Sequence, residues 1–371
     1  MKFSVSSTEL LKQLSIASGA IGSNPVLPIL EDFLFKVENK KLTIAATDLE
    51  TSISTAIEVL ADDDFTVAVP ARILLDTLKA LPQQPVTFSV NTDNWGIEIT
   101  SSYGKYKLAG ENGADFPNIP EPDAVDTVKL NSQFLLEAIN KTVFATSSDE
   151  LRPAMTGVYF QVDNNKLTCV ATDAHKLVKY STHQLAGEVT STFILPKKAL
   201  NLLKNALPAN DAVKISFNKA NAFFSFGSMH LVCRLIDARY PDYNAVIPVD
   251  NPNHMLLSRR DFQDSLKRIA IYANKTTNQV VLDISDKSLT VSAQDLDFSN
   301  EATEQMACTY EGNAMRIAFN AKFLVEMLGV LDTDEVKMEF STPSRAGILT
   351  PVEENNDRDI LMLVMPVMLN N

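Results

Sequence analysis

The stretch LTIAATDLE, residues 42–50, decides the fold of this chain because it is written three times. The other copies read LTCVATDAHK and LTVSAQDLDF, and the three copies place aspartates 125 and 122 residues apart, at Asp48, Asp173 and Asp295. A repeat of this length is much longer than the ~20–50 residues of a solenoid repeat, and it has the size of a domain. We therefore predict one globular domain repeated three times in tandem.

A second set of matching stretches has the same spacing. VPARILLDTLKALP, LPKKALNLLKNALP and FNAKFLVEMLGVLD place Pro70, Pro196 and Asn320 126 and 124 residues apart. The stretches at residues 116–122 and 240–252 are rich in proline and irregular in pattern, which is typical of linkers. We predict the domain ranges 1–122, 123–250 and 251–371.

Each copy has the pattern of an α+β domain with two helices and roughly eight short strands. A short strand and an amphipathic helix come first, and a hairpin pattern such as DFLFKVENKKLTIAAT follows. The loops between strands are short, which favours antiparallel pairing. The predicted helices span residues 7–20, 71–81, 131–147, 197–207, 258–274 and 320–331.

Several polar or rigid residues stand where these helices should begin. Ser6, Asn131 and Ser258 are predicted N-caps, since a side-chain oxygen at that position accepts a hydrogen bond from the first helical turn. Pro70 and Pro196 are predicted as early helical residues because the ring fixes φ near the helical value.

The composition bounds the class of protein. Of the 371 residues, 45% are hydrophobic, which is enough for three ordinary cores. No apolar run approaches the ~18 residues of a membrane helix, and the stretch MKFSVSSTEL lacks the apolar region of a signal peptide. The three cysteines are widely spaced without a CxxC pair, so we expect neither a disulfide framework nor a zinc site. We expect a cytoplasmic protein that does not bind membranes.

Charge is distributed unevenly along the chain. The net charge of −13 argues against wrapping of nucleic acid by the whole surface. The predicted helices nevertheless carry twelve basic and six acidic residues, leaving 21 basic and 40 acidic residues elsewhere. Lysine and arginine are good helix formers, so this excess has a purely structural interpretation. The alternative is that the helices face a polyanion, held by phosphate attraction.

No catalytic motif is present. The chain has no phosphate-binding glycine loop, no dinucleotide fingerprint and no histidine pair with zinc spacing. The string Thr172–His175 is the most enzyme-like, because an aspartate near a histidine can form an acid–base pair. The first and third copies keep the aspartate but lack the histidine, so a turn at the end of a strand is the favoured interpretation. We predict no catalytic residue, no metal site and no cofactor.

The segment DILMLVMPVMLNN at the C-terminus is apolar almost throughout. We predict a final strand at residues 360–364 and a short apolar tail beyond it. Methionine-rich surfaces suit grooves that accept several ligands.

In combination, several stretches resemble the bacterial DNA sliding clamp family, the beta subunit of DNA polymerase III. They are MKFSV at the start, NPVLPIL at 24–30, AATDLE at 45–50, VATDAHKL at 170–177, RYPDY at 239–243 and VMPV at 364–367. The resemblance runs from Met1 to Leu369. It implies a non-enzymatic processivity factor whose two subunits join head to tail into a six-domain ring around duplex DNA, without sequence specificity. The implied partners are the catalytic subunit of DNA polymerase III, the clamp loader, and other polymerases and repair proteins with clamp-binding motifs.

The resemblance also implies a peptide-binding groove between the second and third domains. Ala174 stands where the family often has glycine, and Met368 stands at a position that is often basic. The alternative is that the apolar members of this set only fill the contact between two domains. The implied groove residues are Met155, Thr172, His175, Leu177, Pro241, Val246, Asn320, Phe323, Pro343, Arg345, Val364, Met365, Pro366 and Met368.

Two further surfaces follow from the resemblance. Of the loops that contact DNA in the family, only Arg152 is basic here, since Asn24 and Asp149 are not. The residues expected to face DNA are Lys12, Arg72, Lys79, Lys141, Arg152, Lys197, Lys198, Lys204, Lys267 and Arg268. The residues expected at the subunit interface are Lys105, Tyr106, Lys107, Leu108, Ile271, Tyr272, Glu301 and Glu304.

Two functions of other classes remain open from the residues alone. One is a hydrolase or transferase that uses Asp173 and His175, which would lose turnover on His175→Ala. The other is a scaffold that binds partner proteins but not DNA.

Overall fold

The computed structural model describes residues 1–123, 125–352 and 357–369. These residues form two compact units, one made of Met1–Leu136 with Lys198–Leu235 and the other of Glu137–Lys197 with the chain from Ile236 onward. We call them unit 1 and unit 2. The chain passes from one unit to the other after Leu136, after Lys197 and after Leu235, so the middle third of the sequence contributes to both.

All six predicted helices are confirmed. Short 3-10 turns at residues 18–20, 143–145 and 270–272 follow the first helix of each repeat. The helices are α1 Ser7–Ala17, α2 Ala71–Ala80, α3 Ser132–Thr142, α4 Lys197–Ala206, α5 Arg259–Ile269 and α6 Ala321–Gly329.

The helix starts were predicted with mixed success. Asn131 and Ser258 cap as expected, accepting hydrogen bonds from the amides of Gln133 at 2.9 Å and Asp261 at 3.3 Å. The Ser6 prediction was wrong in its chemistry, because the Ser6 hydroxyl shares a 3.0 Å hydrogen bond with the Thr8 hydroxyl instead.

The two prolines stand one residue earlier than expected. Pro70 and Pro196 end the strands before α2 and α4, so neither is helical. Asn320 has the same place before α6, and its side chain accepts from the Lys322 amide at 3.0 Å.

The strands follow the repeat. In the first domain they are β1 Lys2–Ser6, β2 Asp32–Glu38, β3 Lys41–Thr47, β4 Thr51–Glu58, β5 Leu60–Ala61, β6 Phe65–Pro70, β7 Pro85–Val90, β8 Gly96–Thr100, β9 Lys105–Ala109 and β10 Glu111–Asn112. In the second they are β11 Asp126–Asn131, β12 Gly157–Asp163, β13 Lys166–Thr172, β14 Lys176–Thr182, β15 Thr190–Pro196, β16 Ala212–Phe217, β17 Asn221–Phe226 and β18 Met229–Arg234. In the third they are β19 Asn253–Ser258, β20 Gln279–Ser285, β21 Ser288–Asp295, β22 Asn300–Ala307, β23 Thr309–Glu311, β24 Met315–Asn320, β25 Glu335–Phe340, β26 Gly347–Pro351 and β27 Arg358–Val364.

Unit 1 contains two antiparallel sheets. The smaller has the order β5-β1-β7-β8-β9, and the larger has the order β10-β6-β2-β3-β4-β18-β17-β16-β11. Phe3 of β1 stacks on Phe88 of β7 with ring centroids 4.7 Å apart, and Phe35 of β2 approaches Phe3 at 6.2 Å. These fully buried aromatic rings join the two sheets of the first domain.

Unit 2 repeats this arrangement. Its larger sheet has the order β15-β12-β13-β14-β27-β26-β25-β19-β23, and its smaller sheet has the order β22-β21-β20-β24. Helix α5 packs on α6 as α1 packs on α2 in unit 1.

Each large sheet is two domain sheets joined edge to edge. In unit 1 the joint is β4 with β18, where Ile53 pairs with Leu231. In unit 2 it is β14 with β27, where Val178 pairs with Met362. In both cases the strand after the repeated aspartate turn meets the last strand of the following domain. Two strands of the same kinds, β9 and β22, pair on one side only, with β8 and β21, and their outer edges have no partner strand among the described residues.

In every copy the repeated aspartate accepts a backbone amide of the turn that follows its strand, as predicted. The Asp48 carboxylate accepts from the Glu50 and Thr51 amides at 3.0 and 2.6 Å, and Asp173 accepts from the two corresponding amides at 2.9 Å each. Asp295 accepts from the Asp297 amide at 3.1 Å. This conserved geometry within one chain explains the repeat as a requirement for ending one strand and starting the next.

The segments predicted as linkers hold little regular structure. Residues 116–122 contain no strand or helix, and residues 240–252 contain one 3-10 turn, Tyr243–Val246. Boundaries at residues 122 and 250 stay a prediction.

Asp32 in β2 generates a prediction about stability. Its carboxyl group is buried, with 6% of the residue exposed. Burial, followed by repulsion from Glu111 and Glu31, raises its pKa to about 7. The folded state therefore favours the protonated form, and stability falls as pH rises from about 4 through 7. We expect Asp32→Asn to raise the free energy of unfolding at pH 8 by up to about 4 kcal/mol and to flatten this slope.

The measurement is the denaturant midpoint of the full chain between pH 5 and 8. Asp62→Asn changes an exposed aspartate of the same domain and should leave the slope as it is. Identical pH slopes for wild type and Asp32→Asn would contradict the assignment.

Candidate functional site

The loop from Thr172 to Lys176 connects β13 to β14 in unit 2. The Thr172 hydroxyl donates to the Lys176 carbonyl at 2.8 Å and accepts from the Ala174 amide at 3.2 Å. Ala174 has φ of +76°, a left-handed conformation that favours glycine. The loop is therefore held rigidly in a conformation that turns His175 outward, where it is exposed.

Lys176 is the buried charge of this region. Only 5% of the residue is exposed, and its ammonium lies 3.0 Å from the Asp173 carboxylate and 3.2 Å from that of Glu326 on α6. The same ammonium lies 4.2 Å from the centroid of the Phe323 ring. A desolvated cation over an aromatic face is attracted by about 2 kcal/mol. Lys176 thus ties the loop of the second domain to α6 of the third.

Phe323 also stacks on His175. The two ring centroids are 6.2 Å apart and the ring planes differ by 22°. Phe323 is half-buried between the imidazole and the Lys176 ammonium, so one of its edges remains available to a ligand.

The apolar C-terminal segment lies beside the same loop. Strand β27 ends at Val364, as predicted, and the Met365 amide donates to the His175 carbonyl at 2.8 Å. The Val367 amide donates to the Ala318 carbonyl of β24 at 2.8 Å. These two bonds hold the backbone while the Met365 and Met368 side chains are 42% and 71% exposed.

A second group of predicted residues surrounds a cavity of about 450 Å³. Its walls are residues 152–155 and 238–242, which include Met155 and Pro241. Tyr240 forms the base of the wall, stacked on Tyr159 at 4.7 Å and donating its hydroxyl to the Val170 carbonyl at 3.2 Å.

One buried cluster underlies both groups. It joins Leu177, Tyr240 and Tyr243 of the second domain to Ala346 and Leu363 of the third. The loop near His175 and the cavity near Pro241 therefore rest on a common apolar base.

The remaining predicted groove residues divide by exposure. Val246, Pro343 and Arg345 are exposed, and Pro366 is half-buried. Leu177 and Val364 have only 2% and 0% of their surface exposed. These two are buried because they pair within the joint between β14 and β27, and their part in a groove stays a prediction.

The Asp173–His175 pair does not form an acid–base dyad. One Asp173 oxygen accepts the two backbone amides of its turn and the other contacts Lys176. The carboxylate is thus committed to structure, as the copy at Asp48 is.

At the corresponding joint of unit 1, ion pairs connect the aspartate turn to the next domain. Lys198, the second residue of α4, contacts the Asp48 carboxylate at 2.5 Å and donates to the Ala20 carbonyl at 2.9 Å. Arg234 contacts Glu50, the counterpart of His175, at 3.3 Å. These ion pairs of unit 1 lie at the position where unit 2 has the side chains of Phe323, His175 and Met365 and an apolar surface.

The basic residues expected to face DNA fall into two groups. Five are engaged with acids: Lys141 with Glu137 and Asp332, Arg152 with Asp149, Lys198 with Asp48, Lys267 with Asp264, and Arg268 with Glu304. Lys141 has only 13% of its side chain exposed. The others are exposed and make no ion pair within the described residues: Lys12, Arg72, Lys79, Lys197 and Lys204.

The residues expected at a subunit interface lie at two free sheet edges. Lys105, Lys107 and Tyr106 belong to β9, and Glu301 and Glu304 belong to β22. Leu108 is 8% exposed, which makes it mainly a core residue of its own sheet. Ile271 and Tyr272 are 64% and 43% exposed beside the end of α5.

Glu304 already has a partner in its own chain. Both its oxygens accept from the Arg268 guanidinium at 2.7 Å, and these hydrogen bonds lower the pKa of the Glu304 carboxyl.

Sequence reasoning missed Lys176 and Glu326. A lysine at the start of a strand and a glutamate on a helix read as surface residues. Only the joint between β14 and β27 brings them together, and no local pattern carries that information. The two large aromatic rings at Tyr159 and Tyr243, also missed, belong to the same interior.

In the part of the chain that the structure describes, no cluster of three or more His, Cys, Asp or Glu side chains has a geometry that could hold a metal ion. No helix in the same residues has the length and apolarity that a membrane crossing requires.

Comparison with known families matches almost the whole chain. Three domain models of the DNA polymerase III beta subunit match in order: the N-terminal domain over residues 1–120, the central domain over 129–242 and the C-terminal domain over 244–368. The beta sliding clamps of Vibrio cholerae and Synechococcus elongatus are each 28% identical, with full coverage of both chains.

Solved structures agree. The DNA polymerase III beta subunit of Thermotoga maritima has a TM-score of 0.92 at 27% identity, with both chains fully covered. The sliding clamp of Pseudomonas aeruginosa bound to griselimycin has a TM-score of 0.93 at 26% identity, again over both full chains.

The contacts of Lys176 generate a second prediction. Lys176→Met removes the cation that pairs with the largely buried Asp173 carboxylate, so we expect a loss of about 3 kcal/mol in the stability of unit 2. A double-mutant cycle with Phe323→Leu should give a coupling of about 1 kcal/mol. Both are measured by denaturant unfolding. Lys204→Met, which removes an exposed lysine without an ion pair in the described residues, should change stability by less than about 0.5 kcal/mol. A coupling near zero would show that the ammonium and the ring do not interact.

Proposed function

Since the chain belongs to the DNA polymerase III beta subunit family, we propose that its role as a DNA polymerase processivity factor is performed by two copies closed head to tail around duplex DNA. The observation that carries this proposal is that β9 in unit 1 and β22 in unit 2 are each the last strand of a sheet, with one edge unpaired among the described residues. Exposed sheet edges invite further pairing. Here the repeat specifies which edge meets which.

The two internal joints show which residues pair when two domains join edge to edge. Cys233 of β18 pairs with Thr51 of β4, and Val364 of β27 pairs with Lys176 of β14. When the three domains are aligned by the pairing of each last strand with its neighbouring strand, Leu108 corresponds to Cys233 and Val364.

By the same alignment, Asn300 corresponds to Thr51 and Lys176. The same pairing would join β9 of one copy to β22 of a second copy. It would set Lys105 opposite Thr303, Tyr106 opposite Ala302, Lys107 opposite Glu301 and Leu108 opposite Asn300.

This register is favourable electrostatically. Lys107 and Glu301 are exposed in the single chain and would face each other as a cross-strand pair of opposite charge. Ile271 and Tyr272, also exposed, lie at the end of the helix that packs on β22. The surfaces that meet are different, and such heterologous contacts close a ring when the rotation allows it.

The helices supply the attraction to DNA. Exposed cations without ion pairs in the described residues occur on α1, α2 and α4, at Lys12, Lys79, Lys197 and Lys204 among others. We propose no base-reading element, so binding is independent of sequence and sensitive to salt. Retention then depends on topology, and tethering raises the effective concentration of the polymerase at the primer end.

The surface around His175, Phe323 and Met365 supports a peptide-binding groove. It combines exposed apolar side chains with a rigid loop, and it lies beside a cavity at Met155 and Pro241. The related clamp of Pseudomonas aeruginosa holds griselimycin. We propose that the groove takes a short linear motif with a large apolar anchor, from the polymerase catalytic subunit, the clamp loader, and other polymerases and repair proteins. Such anchors dominate binding.

We further propose that the three domains meet near residues 122 and 250, that the chain acts in the cytoplasm, and that it has no catalytic residue or cofactor. The committed carboxylate of Asp173 supports the last point.

The seam register predicts the behaviour on DNA. After the clamp loader closes the ring, wild type should remain on a nicked circular duplex and leave a linear one. Lys107→Glu places like charges across the seam and should shorten retention roughly tenfold. Adding Glu301→Lys should restore it. The measurement is the half-life of labelled protein on the two DNAs.

Cutting the loaded circle provides the control, because it should release wild type at once. Equal retention on circular and linear DNA, or on neither, would favour a scaffold that does not encircle DNA. Loss of retention that the double variant fails to rescue would contradict the register.

The groove gives a further prediction. Phe323→Ala and Met365→Ala should each weaken binding of a synthetic peptide copied from the polymerase catalytic subunit by more than tenfold, because each removes an apolar wall. Tyr103→Ala changes an aromatic residue that is 73% exposed in unit 1 and should have no effect. Binding is measured by fluorescence anisotropy, with dimer mass checked in parallel. Unchanged affinity in both groove variants would place the peptide elsewhere.

A further inference from the structure

The segment after β27 carries two of the three exposed methionines of this chain. Met365 is 42% exposed and Met368 is 71% exposed, and the third is the first residue, Met1, at 43%. Every other methionine of the chain is half-buried or buried. The surface beside His175 therefore combines an apolar character with two thioethers that solvent reaches.

The backbone of this segment is fixed although the two side chains are free. The Met365 amide donates to the His175 carbonyl, and the Val367 amide donates to the Ala318 carbonyl, each at 2.8 Å. These hydrogen bonds do not involve a side-chain atom of either methionine. A chemical change at the two sulfur atoms would therefore alter the surface of the groove and leave the course of the main chain unchanged.

The thiols of the chain compete poorly for an oxidant. Cys169 and Cys233 have none of their surface exposed, and burial raises the pKa of the Cys233 thiol to about 12. Burial also raises the pKa of the half-buried Cys308 thiol. The thiolate is the reactive form of cysteine. Met365 and Met368 are therefore, with Met1, the sulfur atoms that an oxidant in solution meets first.

A peroxide converts a thioether to a sulfoxide in one two-electron step. The lone pair of the sulfur attacks one peroxide oxygen, and the O–O bond breaks as the S–O bond forms. The leaving hydroxide takes the proton of the transferred oxygen and becomes water, so sulfur is oxidised and the peroxide is reduced. The product is a polar side chain, and this change disrupts methionine-rich interfaces. A sulfoxide covered by an apolar ligand without a hydrogen-bond partner opposes binding.

We propose that Met365 and Met368 are sites of reversible oxidation by peroxides, and that their sulfoxides release partner peptides from the groove while the chain stays folded. The inference rests on the proposed peptide groove and adds a form of regulation to it. Methionine sulfoxide reductases return the side chain to the thioether. Partner binding would then be lost in the presence of a peroxide and recovered after its removal.

The test exposes the full-length protein to hydrogen peroxide, destroys the excess with catalase and measures peptide binding by fluorescence anisotropy. The probe is a synthetic peptide copied from the polymerase catalytic subunit, with any methionine replaced by norleucine and any cysteine by serine. Mass spectrometry of proteolytic fragments gives the sulfoxide content at each methionine. Sulfoxide at Met365 and Met368 should weaken binding at least tenfold. Methionine sulfoxide reductases with dithiothreitol should restore the affinity.

The variants are compared by the ratio of the dissociation constants after and before peroxide, so that a change in starting affinity cancels. Met365→Leu with Met368→Leu removes both thioethers at similar volume, and its ratio should be close to one. Met365→Gln with Met368→Gln introduces a polar group without oxidant and should bind weakly from the start. Met229→Leu is the matched control, since Met229 is half-buried on β18 in unit 1. It should show the same ratio as wild type.

Sulfoxide at both positions with unchanged affinity overturns the inference and leaves the groove intact. The same holds if the double leucine variant loses as much affinity on oxidation as wild type does, because the sensitive sulfur then lies elsewhere. Loss of the circular-dichroism signal at the same peroxide dose would show that binding fails through unfolding, and this too overturns the inference. A reduced wild type that does not bind the peptide refutes the groove itself.

Discussion

Hydrogen bonding at the edges of sheets is the constraint on which this structure depends. A domain of this kind has two exposed edges, and backbone amides and carbonyls there must find partners or remain open to aggregation. Within the chain the solution is to pair the strand after each aspartate turn with the last strand of the next domain. The buried aromatic residues and the two helices of each domain support sheets whose continuity comes from these joints.

The joints use one backbone geometry with different side chains. In unit 1 the turn is closed by Lys198 on Asp48, so its surface is ionic. In unit 2 the corresponding lysine position on α6 is exposed, and Lys176 points inward to Asp173, Glu326 and the Phe323 ring. The cation of the joint lies on the helix in unit 1, at Lys198, and is buried on the strand in unit 2, at Lys176, which leaves an apolar outer surface at His175 and Met365. This difference explains physically why a peptide groove is proposed at one joint and not at the other.

Much of the fold could be predicted from the sequence, because each local pattern occurs in three copies and the copies support the same interpretation. The six helices, the hairpins and the turn role of Asp48, Asp173 and Asp295 all followed from matching stretches. The Ser6 error is local, since its hydroxyl bonds to that of Thr8 two residues away. The burial of Lys141 against Asp332, and of Leu177 and Val364 in the joint between β14 and β27, could not be predicted because it depends on elements distant in sequence. Lys176 was missed for the same reason, since its partner Glu326 lies 150 residues away.

The common direction of the joints affects where partner proteins would bind on the ring. Every joint runs the same way, from the turn strand of one domain to the final strand of the next, so a ring closed by the proposed seam would have two chemically different faces. A two-fold axis through its centre would place both copies' His175 surfaces on the same face. Two partner proteins could then bind the same face of the ring at the same time and exchange without either leaving the DNA. The order in which they act would be set by occupancy on that single face.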